Sequence, residues 1–253
     1  MAFIIMVYGL LIGSFLNVVI YRLPKNESIV FPGSHCTICN HNLAWFDNIP
    51  VISYMLLKGK CRYCKTRISP KYPIIELLNS FFYLLFYMKY GFNTNFFMYS
   101  LIFSVLLAIT LIDLIHQLIP DSLVAAIVVI TILFRIVGYY INSDSLNILD
   151  SLSGSLVAGG LFLLIVLISK GGMGGGDVTL ISSLGFVLGL KGILVTIFIS
   201  FIIGSIVSVL LLSFKLKTRK DPIPFGPFIV IGFLITLLYG DQLIIWYTNL
   251  LLY

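Results

Sequence analysis

Most of the ten carboxylates in this 253-residue chain sit in loops, where solvation accounts for them. Three do not: Glu76, Asp113 and Asp177 fall inside or at the edge of strongly apolar stretches. An ionisable group there is costly and marks a functional candidate by default. Asp113 stands in LIDLIHQLIPD and Asp177 in GGGDVTL, 64 residues later. Two such carboxyls brought close together cannot both ionise, so they share a proton. One then acts as base toward water while the other donates to a carbonyl. That is aspartic-protease chemistry. Five glycines lie just before Asp177 in SKGGMGGGD. They let the chain bend tightly and let a second backbone approach, which makes Gly174 and Gly176 candidates for substrate support. Plainer readings stand beside this one: Asp177 caps a helix in a glycine loop, and Asp113 is an interfacial loop acid.

A second chemistry is carried by the cysteines. Cys36 and Cys39 form one C-x-x-C knuckle, Cys61 and Cys64 another, with 21 residues between them. Each knuckle offers two thiolates to one tetrahedral ion, and the gap is one residue beyond the usual zinc spacing. Disulfides are the alternative, and a reducing compartment argues against them. His35 and His41 are available as ligands, but four cysteines already complete a structural site. A segment of about 50 residues is too short for a self-sufficient core, so a metal staple makes physical sense. The zinc is therefore assigned to structure, not to catalysis.

The elements that position these groups follow from composition. Apolar residues make up 59% of the chain and charged residues 10%, against roughly 25% charged in soluble domains. Only lipid can solvate such a chain, and the absence of strand-type alternation argues against an outer-membrane barrel. The expected fold is an all-α polytopic membrane protein. It has about eight transmembrane helices, with a small cytoplasmic zinc-binding insert after the first. Spans are read at 2–20, 73–89, 96–112, 122–140, 151–169, 178–190, 192–213 and 225–250. The sixth is short for a bilayer crossing. The first is not a cleaved signal, because it lacks a basic leading region and its positive charges follow it.

With the N-terminus outside, eight crossings place 21–72, 113–121, 170–177 and 214–224 in the cytoplasm. Of the 16 lysines and arginines, 13 fall there, including Lys170, Arg219 and Lys220, while Lys89 and Lys191 fall outside. That bias fits the positive-inside rule. It also explains the net charge of +6 without a nucleic-acid partner. Arg135 lies inside a span and is expected to snorkel toward the outer headgroups. The domains are then a first transmembrane helix (1–20), the cytoplasmic four-cysteine insert (21–72) and a transmembrane peptidase domain (73–253).

Secondary candidates have paired readings. Glu76 either orients a basic substrate segment or supports a second reaction, or it is a helix-end acid paired with a lysine. Asn17 is a substrate contact or, favoured two to one, an interhelical hydrogen-bond partner. His116 tunes the acid pair or simply lies at the interface. PFGPF (224–228) shapes backbone packing near the site.

Taken in order, GSFLNVVIYRLP (13–24), the two knuckles, NIPVISY (48–54), GKCRYCKTRIS (59–69), YPIIELL (72–78), Asp113 with LIPD, Gly174-Gly175-Gly176-Asp177 and PFGPF resemble the bacterial type IV prepilin peptidases. The resemblance covers nearly the whole chain. It implies an intramembrane aspartic peptidase of the bacterial cell membrane that removes the short basic leader from type IV prepilins or pseudopilins. Cleavage would follow a glycine at the cytoplasmic face, with Asp113 and Asp177 as the catalytic pair. Many members also N-methylate the new N-terminus with S-adenosylmethionine, and forms with the cysteine insert include these bifunctional enzymes. The chain departs from the pattern at Ile115, where many relatives carry a second Asp, and at Thr37, where Pro often follows the first cysteine. The alternative from another class is a membrane transporter or scaffold with a zinc-stabilised module. Transporters often show repeated halves and midplane charges. No repeat is evident in this chain, and its acids lie at one edge.

Overall fold

The computed structural model describes every residue except 143–146, 170–171, 219–220 and 252–253. Lys170, Arg219, Lys220 and the loop acid Asp144 therefore lie outside the described residues. Helices dominate: α1 (Ala2–Arg22), the short α2 (Ile52–Leu56), α3 (Lys71–Tyr90), α4 (Thr94–His116), α5 (Asp121–Asn142), α6 (Ile148–Ile168), α7 (Gly175–Ser213) and α8 (Gly226–Leu251). Among the described residues there is no β-strand, only isolated bridges at His35–Asn42 and Lys60–Arg67. Among the described residues, six helices are long and apolar enough to cross a membrane: α1, α4, α5, α6, α7 and α8. The chain is an all-helical, multi-pass membrane protein. It packs as two compact units, Met1–Leu111 and Ile112–Tyr253.

In the first unit α1 and α3 run antiparallel, because glycine removes the side chains between them. A Cβ at Gly9 would lie 2.7 Å from the Ser80 Cα, and one at Gly13 would lie 2.7 Å from the Glu76 Cα. Small residues four apart are the usual device for close helix approach in lipid, where no hydrophobic force drives association. Polar side chains set the register. Asn79 donates to the Gly9 carbonyl (2.8 Å), Ser80 to that of Met6 (2.8 Å) and Asn17 to that of Tyr72 (3.3 Å). Ser104 of α4 donates to Asn79 and meets the Tyr83 hydroxyl at 2.9 Å. These bonds contribute about 0.6 kcal/mol each on average, so they specify alignment more than they add stability. They also explain why α3 is less apolar than the other helices: its polar residues face protein, not lipid.

The second unit contains a reversal hidden within α7. A straight helix of 39 residues would be about 58 Å long, roughly twice the hydrocarbon thickness. The chain instead turns at Gly189, whose φ of 72° and ψ of −178° break the helix. Gly154 of α6 meets Gly185 and Gly189, and Gly159 meets Ser182, so α6 and residues 175–188 are antiparallel. Past the turn, the Phe201 ring lies 5.7 Å from that of Phe162 on α6. Gly204 meets Phe225 and Phe228, and Gly232 meets Ser200 and Thr196. Residues 190–213 thus run back along α6 and antiparallel to α8. The expected short sixth span and its successor are two arms of one helical hairpin. Their boundary falls at Gly189, not around Lys191, which lies within the second arm. A left-handed φ favours glycine. Asp150 completes the turn by accepting the Leu190 N–H on Oδ1 at 3.1 Å, satisfying a donor that the break leaves free.

Arg135, expected to snorkel outward, makes specific contacts within the protein. Its guanidinium binds the Ser151 hydroxyl and donates to the Val187 carbonyl at 3.0 Å, with the Phe186 ring 5.5 Å away. It therefore ties α5 to α6 and to the end of the first α7 arm, where helix carbonyls lack intrahelical donors.

Candidate active site and metal centre

Asp113 occupies the last turn of α4 and is 5% exposed. The chain leaves that helix at Gln117, with φ at 52°, and Ile119 and Pro120 lead into α5. The start of α8 meets this corner. Gly226 donates its backbone N–H to Asp113 Oδ2 at 3.0 Å. The first N–H groups of any helix lack intrahelical acceptors, and Pro227 has none to offer, so Gly226 is the donor that aims at the acid. A Cβ at Gly226 would lie 2.6 Å from the same oxygen. A side chain here would have to push that carboxyl aside.

Asp177 enters the same unit from the start of α7 and is 8% exposed. The N-cap residue is Gly174, in extended backbone (φ −74°, ψ 147°), with no side chain of its own to cap this end. Asp177 lies three residues inside, its own N–H donating to the Gly174 carbonyl at 3.2 Å. Its carboxyl also reaches back to the Gly174 backbone, the contact an acid at this position makes in a capping box, so the capping reading stands beside the catalytic one. Its Oδ1 is buried and has no hydrogen-bond partner among the described residues. Gly176 lets this turn approach the α4–α5 corner, since a Cβ there would lie 2.8 Å from the Ile119 Cβ. A Cβ at Gly226 would lie 3.5 Å from the Ile119 Cδ1, so Ile119 is the shared wedge. The two carboxyls lie within electrostatic reach of each other. Two helix N-termini, each a partial positive pole, thus converge on two carboxylates.

Asp113, Asp177, Gly174 and Gly176 are thus assembled in one unit, and Glu76 and Asn17 belong to the other. Glu76, 7% exposed, accepts the Val51 N–H on Oε2 at 2.8 Å and bonds the Ser14 hydroxyl. The expected lysine partner is not what holds it. Asn17 is an interhelical bond to α3, and His116 is exposed.

Between α1 and α3 the chain forms the cysteine module. Cys36, Cys39, Cys61 and Cys64 are free thiols whose Sγ atoms all lie within 4.8 Å of one another, an arrangement that could hold a metal ion. Each knuckle repeats one turn. Asn40 N–H donates to the Cys36 carbonyl and Lys65 N–H to that of Cys61, with Asn40 and Lys65 both left-handed (φ 54° and 60°). The Thr66 hydroxyl, 3.3 Å from Cys64 Sγ, and then its backbone N–H hold that thiol down at about 6. A lowered thiol favours the thiolate, the form that ligates a metal. His35 bonds the Gly33 carbonyl and His41 stacks on Tyr63, so neither joins the cluster.

Two residues escaped the sequence reading. Gly226 was visible only as part of PFGPF, although a glycine before proline at a helix start is a recognisable free donor. Asp47 reads in the sequence as one of the solvated loop acids, but its side chain is 2% exposed. Its Oδ1 pairs with Arg62 Nε at 2.8 Å, and its Oδ2 is buried without a partner. Nothing in the local sequence marks it.

Comparison with known proteins follows this division of the chain. Residues 7–90 match the bacterial peptidase A24 N-terminal domain, and residues 100–209 match the type IV leader peptidase family. A prepilin leader peptidase/N-methyltransferase from Pseudomonas aeruginosa is 34% identical over 93% of this chain and 89% of its own length. One from Bacillus subtilis is 32% identical over 98% of both chains. A third, from Aeromonas salmonicida, is 32% identical over 98% of this chain and 94% of its own. No solved structure gives a significant match.

Proposed function

The chain belongs to the type IV leader peptidase family, and from that membership we propose that Asp113 and Asp177 are the catalytic pair of its prepilin-cleaving activity. The enzyme is a multi-pass bacterial membrane peptidase with an accompanying N-methyltransferase activity. It acts on prepilins or pseudopilins, cutting after a glycine at the cytoplasmic face. The lysine and arginine bias toward one side supports that orientation. The insert 21–72 is then a cytoplasmic module and 73–253 the peptidase domain. The transporter or scaffold alternative is not favoured, because both family matches name a peptidase.

The observation that carries the reading is the unpartnered Oδ1 of Asp177 beside Asp113. Asp113 Oδ2 is committed as an acceptor of the Gly226 N–H, so the shared proton resides on the other carboxyl oxygens. Asp177 presents it to the scissile carbonyl while Asp113 takes a proton from the attacking water. Gly174, extended and without a side chain, leaves room for the substrate strand beside Asp177.

The four cysteines hold zinc. A tetrahedral site with Zn–S distances of about 2.3 Å spaces its sulfurs about 3.8 Å apart, and the Cys36–Cys64 separation is 3.9 Å. Four thiolates would leave no open position, so an ion held by Cys36, Cys39, Cys61 and Cys64 would staple the module and take no part in cleavage. S-adenosylmethionine supplies the methyl group for the second activity. Mass spectrometry of a co-expressed prepilin reads both reactions at once. A substrate trimmed to the residue after its leader glycine and carrying one added methyl supports the assignment, and a full-length leader overturns it.

A further inference from the structure

The short helix α2 of the cysteine module has two unlike faces. Ser53, Tyr54 and, just past its end, Leu57 line the cavity that the module forms with α1 and α3. Ile52, Met55 and Leu56 share the other face, at the i, i+3, i+4 spacing. Met55 is 71% exposed and Leu56 77%. Trp45, 79% exposed, stands on the turn Trp45–Asn48, which packs against α2. A module too small for a full core gains nothing by giving such side chains to water. The charge around this face is of one sign. From Ile52 to Lys71 the chain carries six lysines and arginines and no acid. Arg62 is taken by Asp47. The chain leaves α2 through left-handed Lys58 and Gly59 (φ 51° and 66°), and Lys58, Lys60 and Arg67 surround a shallow hollow there with Ser69 and Pro70. A backbone bridge holds Lys60 beside Arg67. Lys58, Lys60, Arg67 and Lys71 are exposed, and among the described residues none has an ion-pair partner.

Both features fit a lipid surface. α1 ends at Arg22 and α3 begins at Lys71, and Asn17 bonds to the Tyr72 carbonyl. The two stems of the module therefore leave the same end of one antiparallel helix pair, which keeps the module close to the bilayer. An apolar face flanked by lysine and arginine is the pattern of a segment lying in the headgroup layer, its apolar side chains buried about 5–10 Å. Tryptophan prefers the same depth. Charge complementarity selects anionic lipid, since each basic residue near such a surface strengthens binding roughly fivefold. We propose that the cysteine module docks on the bilayer surface through Ile52, Met55, Leu56 and Trp45, with Lys58, Lys60, Arg67 and Lys71 on the phosphates of anionic phospholipids. Lys60 and Arg67 bracket the second knuckle, so a metal held there also sets the spacing of the lipid-facing cations.

The test uses the full-length, zinc-loaded protein carrying Trp246→Phe, which leaves Trp45 as the one tryptophan. It is reconstituted in vesicles of phosphatidylcholine alone or of an equal mixture with phosphatidylglycerol, with and without bromine on the acyl chains. Bromine quenches tryptophan only on contact. Trp45 emission should fall at least about twofold on bromination of the mixed vesicles, as for a side chain at the acyl boundary, and acrylamide in the water should quench it little. Combining Lys58→Gln, Lys60→Gln and Arg67→Gln should remove the extra quenching that phosphatidylglycerol produces. Combining Met55→Ser and Leu56→Ser should remove bromine quenching in both lipids. Zinc content and melting temperature check each variant, and the unaltered module carries the test where a variant fails to fold. A Trp45 open to acrylamide and indifferent to bromine would overturn the proposal. Shielding from acrylamide without bromine quenching would overturn it too, by placing a protein partner or a second copy on this face. Equal bromine quenching with and without phosphatidylglycerol would overturn the role given to the cations.

Discussion

Gly226 and Asp113 are 113 residues apart in sequence, yet the N–H of one donates to the carboxylate of the other at 3.0 Å. The bond joins the end of α4 to the start of α8 and fixes one of the two acids from a helix terminus. The contact is backbone to side chain, so the identity of residue 226 matters through space and not through chemistry.

Replacing Gly226 by Ala would put a methyl group 2.6 Å from the Asp113 carboxylate oxygen. Leader cleavage by this variant should fall about a hundredfold, the usual cost of roughly 1 Å of misplacement. The loss should appear in kcat with KM little changed, since the leader's own contacts are untouched. Steady-state cleavage of a purified prepilin in detergent measures both. A variant with wild-type kcat would show that this bond does not position the acid.

The hairpin within α7 makes a prediction about packing. A Cβ at Gly159 would run into the Ser182 hydroxyl, while the Ser182 Cβ is 3.4 Å away and tolerable. Gly159→Ala should therefore destabilise the protein by about 1–3 kcal/mol. Adding Ser182→Ala should recover most of that loss. Thermal unfolding of the single and double variants tests it, and a double variant no more stable than Gly159→Ala would refute the antiparallel packing of α6 on the first arm.

Gly189 is the hinge of that hairpin. Its left-handed φ and the adjoining Asp150 carboxylate both exclude a side chain. Gly189→Val should reduce the yield of folded protein sharply. Asp150→Ala, which removes only the acceptor for the Leu190 N–H, should cost about 1 kcal/mol, as for a lost cap. Similar behaviour of the two variants in expression and melting would contradict a strained turn at this residue.

Much of this was legible in the sequence for identifiable reasons. Asp113 and Asp177 stand out because carboxylates at the edge of apolar spans are rare and costly, and the four cysteines because knuckle spacing reflects ligand geometry. The division into helices follows from apolar length. What escaped depends on partners distant in the chain. The free oxygen of Asp47 results from the fold of the module around it. The partners of Arg135, Ser151 and Val187, lie 16 and 52 residues away and could not be read locally. The α7 turn falls at Gly189 instead of Lys191 because conformation, not charge, decides where this helix reverses. Glu76 could be recognised as unusual, but its partners, Val51 N–H and Ser14, carry no charge to betray them.

Removal of the metal separates the module from the acid chemistry. Stripping zinc with a strong chelator should unfold the module and open the segment 26–70 to protease. Leader cleavage in the peptidase unit should be lost only to the extent that the module unfolds. Limited proteolysis alongside a cleavage assay checks this, and loss of cleavage while the module stays protease-resistant would contradict a purely structural ion.

The central claim is that Asp113 and Asp177 act as one catalytic pair. Its most direct measurement is leader cleavage by Asp113→Asn, Asp177→Asn and the double variant, each confirmed to be inserted and zinc-loaded. The account predicts that either single substitution abolishes cleavage and that the double variant is no worse than the singles, as for residues that act as a unit. Normal leader removal by either single variant would contradict it.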